Sequence, residues 1–200
     1  MNTVSSSDIK KLIHTLQTAE RFFDSVVLFA LFELGIYSHL ASGPKSAAQL
    51  QEKIQGDEES LKATLNAAVA LRLLSNDGGR YAAKEEFLDC LGREDSSAYL
   101  GEWVAFLHAL AGPLLKLGDE VRRGSKPGAL FEDMSGDGDG LPAKRMTAAM
   151  DAYARTRGIE IANRLDFSQT RRLLDLGCGP GTYSVAIMER YPDVHATLRD

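Results

Sequence analysis

Residues 171–200 read RRLLDLGCGPGTYSVAIMERYPDVHATLRD, an order of residue types that passes from strand to glycine turn to helix to strand. Leu173, Leu174 and Leu176 form a short apolar run suited to a buried parallel strand, with Arg171 and Arg172 expected before it. Gly177, Gly179 and Gly181 follow at GxGxG spacing, and Thr182 to Arg190 has helical composition. His195 to Arg199 supplies a second strand that closes at Asp200. This is the order of a Rossmann-like first unit. Glycines allow the tight turn and let a ligand approach without Cβ atoms in its way, while the helix N-terminus offers unpaired N–H groups. An acid at the end of the second strand can accept both ribose hydroxyl protons, and Asp200 lies roughly 20 residues past the first glycine, where such an acid is expected.

The glycine spacing narrows the ligand. A dinucleotide fingerprint needs glycine or alanine at position 182, where Thr182 stands, and no Lys-Ser or Lys-Thr pair of a phosphate loop is present. NAD, FAD and nucleoside triphosphates lose ground accordingly. Asp175, on the lip of the same pocket, would repel pyrophosphate and attract a cation. S-adenosylmethionine carries a sulfonium and an ammonium and no phosphate.

The chain has 200 residues, of which 44% are hydrophobic and 26% charged, as in an ordinary soluble globular protein. Its net charge is −5 and neither half is strongly basic, which disfavours a nucleic-acid backbone as partner. Two cysteines, Cys90 and Cys178, are too few for a disulfide framework and fit a reducing compartment. The N-terminus lacks the apolar segment of a secretory signal, and the longest apolar run, Val26 to Phe32, is far too short to span a bilayer. A cytoplasmic protein without membrane partners is expected.

Upstream, Asp8 to Leu34 shows a broad helical stripe of Phe22, Phe23, Val26, Val27, Ala30, Leu31 and Leu34, with Leu28, Phe29 and Phe32 on a second face. A helix apolar almost all round needs more cover than a small domain easily gives, and a partner subunit is the economical cover. Residues 46–55 and 57–74 read as two helices capped by Ser46 and Asp57, with Gly56 between them. Asp77-Gly78-Gly79 before Tyr81 marks a tight hairpin. Helix, turn, helix and hairpin is the order of a winged helix. DNA reading is opposed by the acids Glu52, Asp57, Glu58 and Glu59, which outnumber Lys53, Lys62 and Arg72 and gather where a recognition helix would meet the bases.

Residues 97–123 form another apolar helical stretch that Gly112-Pro113 is expected to end or kink. Ser135 to Gly140 lacks the ligand register of a calcium loop and reads as solvated; no metal site is expected. Residues 142–165 return to helical spacing, with Met146, Met150 and Tyr153 on one side, a pattern more usual for core packing.

LLDLGCGPGTYS followed by Asp200 resembles motif I and the ribose acid of class I S-adenosylmethionine-dependent methyltransferases. The whole chain resembles the N-terminal part of small-molecule O-methyltransferases of the caffeic-acid/acetylserotonin/hydroxyneurosporene type. SAAQLQEKIQGDEESLKATLNAAVALRLLSNDGGRYA is similar to their dimerisation segment, and Trp103 to Phe131 to their helical connector. The resemblance implies a mainly α chain: a winged-helix dimerisation domain over 1–96, a connector over 97–168, and the first β-α-β of an α/β Rossmann-like domain over 169–200, incomplete here. It implies a homodimer, a small-molecule hydroxyl acceptor, and S-adenosyl-L-methionine as cofactor. Gly177, Gly179 and Gly181 would line its methionine part, Asp175 would shape the ammonium end, and Asp200 would hold the ribose. Trp103, Phe106, Met146 and Met150 resemble connector positions that wall the acceptor pocket, although their spacing suits ordinary core packing equally well.

None of His14, His39, His108 and His195 lies in the family's catalytic context, so no catalytic residue is assigned. Two strands with one crossover cannot bury both faces of a sheet or finish a cofactor pocket. The chain is therefore expected to be a fragment of a longer protein, or a shortened homologue, with little or no turnover alone. A winged-helix ligand-sensing regulator and a purely structural dimerisation module are the rival readings.

Overall fold

The computed structural model describes residues 6–124 and 143–200, which divide into two compact units, one ending at Leu88 and the other beginning at Asp89. The Ser135 to Gly140 loop and the Phe131 end of the connector lie outside the described residues.

In the first unit, α1 (Ser6–Glu33) runs into α2 (Ile36–Leu40) through Gly35, which sits at φ +63. Leu31, Ile36, Tyr37 and Leu40 are buried at this corner. Earlier turns of α1 are not: Phe23 is 63% exposed, and Ile9, Leu12, Ile13, Leu16, Phe22 and Val26 are exposed with it. The apolar stripe is thus uncovered over most of its length within the described chain.

After strand β1 (Lys45–Ser46), α3 (Ala47–Ile54) opens with a reciprocal cap. Ser46 Oγ accepts from Gln49 N–H, and Gln49 Oε1 accepts from Ser46 N–H, so two orphan donors are satisfied at once. α4 (Glu58–Ala70) is capped by the Asp57 carboxylate, which accepts from Ser60 N–H at 2.8 Å. Hydrogen bonding from Ser60, its side chain first and its backbone N–H second, holds the Asp57 carboxyl below the usual carboxylate range. The helix stops four residues short of the expected Leu74. Arg72 takes a positive φ of 62, and Leu73 and Leu74 N–H both donate to Ala68 C=O. Leu74 is still buried after the chain has turned, which is why the apolar pattern outlasts the helix.

β2 (Ser75–Asp77) and β3 (Arg80–Ala82) form the hairpin, with Asp77 opposite Arg80 and Gly78 and Gly79 both at positive φ, the demand of a two-residue turn. β1 adds to the other side of β3, Lys45 facing Tyr81, a pairing too short to show in the sequence. α5 (Glu85–Phe87) leads into a single π-helical turn, Leu88–Gly92.

In the second unit, α6 (Gly101–Leu115) runs through Gly112-Pro113 and ends two residues later, at Leu115; α7 (Leu117–Arg123) follows. A proline lacks one donor and hinders the carbonyl four residues earlier, and here the break comes just beyond it. α6 packs on α8 (Ala143–Arg164) through buried Phe106 and Ala149, flanked by Trp103, Leu107, Leu110 and Met150. α8 in turn lies against α9 (Thr182–Arg190). Gly158 permits their close approach: a Cβ there would stand 3.0 Å from the Ala186 Cβ and 3.4 Å from the Thr182 carbonyl oxygen.

β4 (Arg172–Leu176) pairs in parallel with β5 (His195–Arg199), Asp175 level with Leu198. Arg172 is inside the strand rather than before it. The expectation of a buried strand is corrected on one face. Leu173 packs with Ala162, Ile187 and Val194, but Leu174 and Leu176 are 60% and 71% exposed. Alternation sends them to the side opposite Leu173, which no described element covers.

Candidate functional site

The site grows from the end of β4. Gly177, Gly179 and Gly181 all adopt positive φ, at 69, 50 and 77, so each requires the conformation that glycine takes most readily. Gly177 N–H donates to the Arg199 carbonyl at 2.7 Å, tying the turn to the end of β5, and Gly181 N–H donates to Cys178 C=O at 2.9 Å. Gly181 then serves as the N-cap of α9 without a side-chain hydrogen bond, leaving that helix's first N–H groups to other partners.

A cleft of about 310 Å³ opens beside the turn, lined from the strand and loop by Asp175, Gly177, Cys178, Gly179 and Pro180, from α9 by Thr182 and Tyr183, and from α8 by Met150, Tyr153 and Ala154. Its size lies at the low end for a small-molecule site. Asp175, Gly177 and Gly179 are therefore brought together. Gly181 and Asp200 stand outside the lining but join it through the backbone: Asp200 Oδ1 accepts from Gly179 N–H at 3.2 Å.

The acids are braced. Asp175 Oδ2 accepts from Ser184 Oγ at 2.7 Å, and Ser184, only 1% exposed, sits on the first turn of α9. Thr182 Oγ1 donates to Asp151 Oδ1 on α8, whose other oxygen lies 3.4 Å from Arg155 Nε. A negative group at the cleft, with glycine backbone beside it, suits a ligand that is cationic where it meets Asp175.

Sequence reasoning missed Tyr153, Asp151 and Ser184. Tyr153 and Met150 share the helical spacing of core residues, yet Tyr153 is 38% exposed and both wall the cleft. The Tyr153 ring lies tilted against Trp103, centroids 4.6 Å apart, and carries the Arg157 guanidinium 5.8 Å from its centre. Phe106 follows the core reading, and Met146 is 39% exposed. Among the described residues, no group of three or more metal-ligating side chains is assembled, and no helix is long and apolar enough to cross a membrane.

Residues 16–85 match the family model of the O-methyltransferase dimerisation domain. The N,N-dimethyltransferase OxyT of Streptomyces rimosus is 26% identical over 209 residues, covering 100% of this chain and 60% of OxyT. The tetracenomycin polyketide synthesis 8-O-methyl transferase TcmO of Streptomyces glaucescens is 26% identical over 190 residues, covering 92% of this chain and 55% of TcmO. Among solved structures, the S-adenosylhomocysteine-bound form of CalO1, a methyltransferase in calicheamicin biosynthesis, superimposes with a TM-score of 0.76 at 19% identity, over 95% of this chain and 58% of that one. The chain thus spans little more than half the length of these proteins. Residues 16–85 are thus similar to the O-methyltransferase dimerisation domain, the two Streptomyces proteins that the chain resembles along almost its whole length are methyltransferases, and CalO1 shares its fold.

Proposed function

We propose that this chain carries the dimerisation domain and the donor loop of an S-adenosyl-L-methionine-dependent O-methyltransferase acting on a small-molecule hydroxyl, phenolic or polyketide-like. The observation that supports it most is the loop itself: three glycines at positive φ, the Asp175 carboxylate on the cleft wall, and Asp200 held under Gly179. Gly177 and Gly179 would admit the methionine part of the donor, Asp175 would face its ammonium, and Asp200 would take the ribose hydroxyls. When bound, the donor supplies an electrophilic methyl group on sulfur. The protein's part is then positioning and exclusion of water, with proton removal from the acceptor as the remaining step. No described residue is assigned to that step.

The family match at 16–85 favours oxygen as the acceptor atom, as in TcmO, although OxyT is named for transfer to nitrogen. For the first unit we propose a winged-helix dimerisation role spanning 1–96, with 97–168 as connector and 169–200 as the start of the donor domain. The exposed stripe of α1 supports a homodimer, and the acids Asp57, Glu58 and Glu59 at the start of α4 oppose DNA binding.

Calorimetric titration of the complete polypeptide tests the reading. S-adenosylhomocysteine is expected to bind and NAD to give no heat, and Asp200→Ala is expected to weaken binding by about tenfold, on the loss of a charged hydrogen-bond partner. NAD binding in preference to S-adenosylhomocysteine would refute it.

A further inference from the structure

We propose that Thr182 and Asp151 form a latch that positions the α8 wall of the donor cleft against the glycine loop. The inference rests on the donor reading and adds to it two positioning residues. Thr182 is the first residue of α9, immediately after Gly181, and its hydroxyl donates to Asp151 Oδ1, 31 positions earlier in the chain. Asp151 is flanked on α8 by the residues that face the cleft, Met150 on one side and Tyr153 and Ala154 on the other. Its second oxygen lies 3.4 Å from Arg155 Nε, one helical turn on, an ion pair that adds to the Thr182 hydrogen bond on the same carboxylate.

The backbone contact at Gly158 brings α8 and α9 together but does not fix how far α8 can slide or roll along its neighbour. A directional, charge-assisted hydrogen bond does. It acts at the end of α9 that adjoins the loop, so whatever Thr182 holds is held relative to Gly177 and Gly179. The α8 residues share their cleft with Asp175, the acid read as facing the amino-acid end of the donor. The latch therefore acts on that end and leaves the nucleoside end, beside Asp200, alone. Position 182 thus gains an active reason to be threonine, beyond its failure to be the glycine of a dinucleotide loop.

The test is carried out on the complete polypeptide with two probes: S-adenosylhomocysteine, which has the amino-acid end, and 5′-methylthioadenosine, which lacks it. Thr182→Val, nearly isosteric, is expected to weaken S-adenosylhomocysteine about tenfold while leaving 5′-methylthioadenosine within about twofold, and Thr182→Ser to restore both. Asp151→Ala supplies a second break should the valine variant fold poorly, and the double variant is expected to be no worse than either single one. Equal S-adenosylhomocysteine affinity in wild type and Thr182→Val, or parallel losses for both probes, would overturn the latch alone. Absence of S-adenosylhomocysteine binding by the wild type would overturn the donor reading and the latch with it.

Discussion

At the scale of single residues, the loop glycines are unequal. An alanine Cβ at Gly179 would meet no heavy atom within 4 Å, whereas at Gly181 it would come within 2.9 Å of Leu198 Cδ1. Both positions also carry the left-handed backbone, which costs a side-chain-bearing residue about 1–2 kcal/mol. Gly181→Ala is therefore expected to lower stability by roughly 2 kcal/mol, the strain plus the modest cost of turning the exposed Leu198 side chain aside. Gly179→Ala is expected to lose only about 1 kcal/mol and to show its main effect as weaker donor binding, its methyl group entering the cleft. Chemical denaturation of the two variants checks the order; equal destabilisation would contradict it. The glycines and the two acids were legible from spacing because each answers a local demand of the backbone or the strand end. Ser184 and Asp151 were not, since their partners, Asp175 and Thr182, are brought to them only by the packing of α8 and α9.

Elements show a similar division between local and non-local signals. The caps of α3 and α4 and the Gly78-Gly79 turn follow from residues adjacent in the chain, and the sequence marks all three. The end of α4, the start of β4 at Arg172 and the β1 pairing depend on contacts from elsewhere, and periodicity misplaces or misses them. α1 is the instructive case. Its apolar stripe predicts burial, yet Phe23 and Leu16 are 63% and 58% exposed in the single chain. Burying a side chain of this kind contributes about 1.5–3 kcal/mol, so a partner that covers several gains enough to hold a dimer. Leu16→Glu with Phe23→Glu is expected to convert a homodimer to monomer in sedimentation or light scattering while leaving the buried corner at Leu31 to Leu40, and with it the helical circular dichroism, in place. A double variant that remains dimeric would remove α1 from the interface.

Over the whole molecule, two compact units differ in build. The first is built from helices and a small antiparallel sheet and matches a dimerisation domain; the second brings a long helix across a strand, glycine turn and helix, and opens a cleft at that junction. The uncovered face of β4, with Leu174 and Leu176 exposed, is apolar surface of the kind that parallel sheets ordinarily bury on both sides. The same unit holds a cleft walled on one side by α8 and floored by glycine backbone, with the Asp175 carboxylate in its lining. The direct measurement is a crystal structure of the complete polypeptide with S-adenosylhomocysteine. The adenosyl group is expected with its ribose on Asp200 and its amino group within hydrogen-bond reach of Asp175, the chain passing over Gly177 and Gly179. Density for the ligand elsewhere, with these carboxylates untouched, would contradict the account.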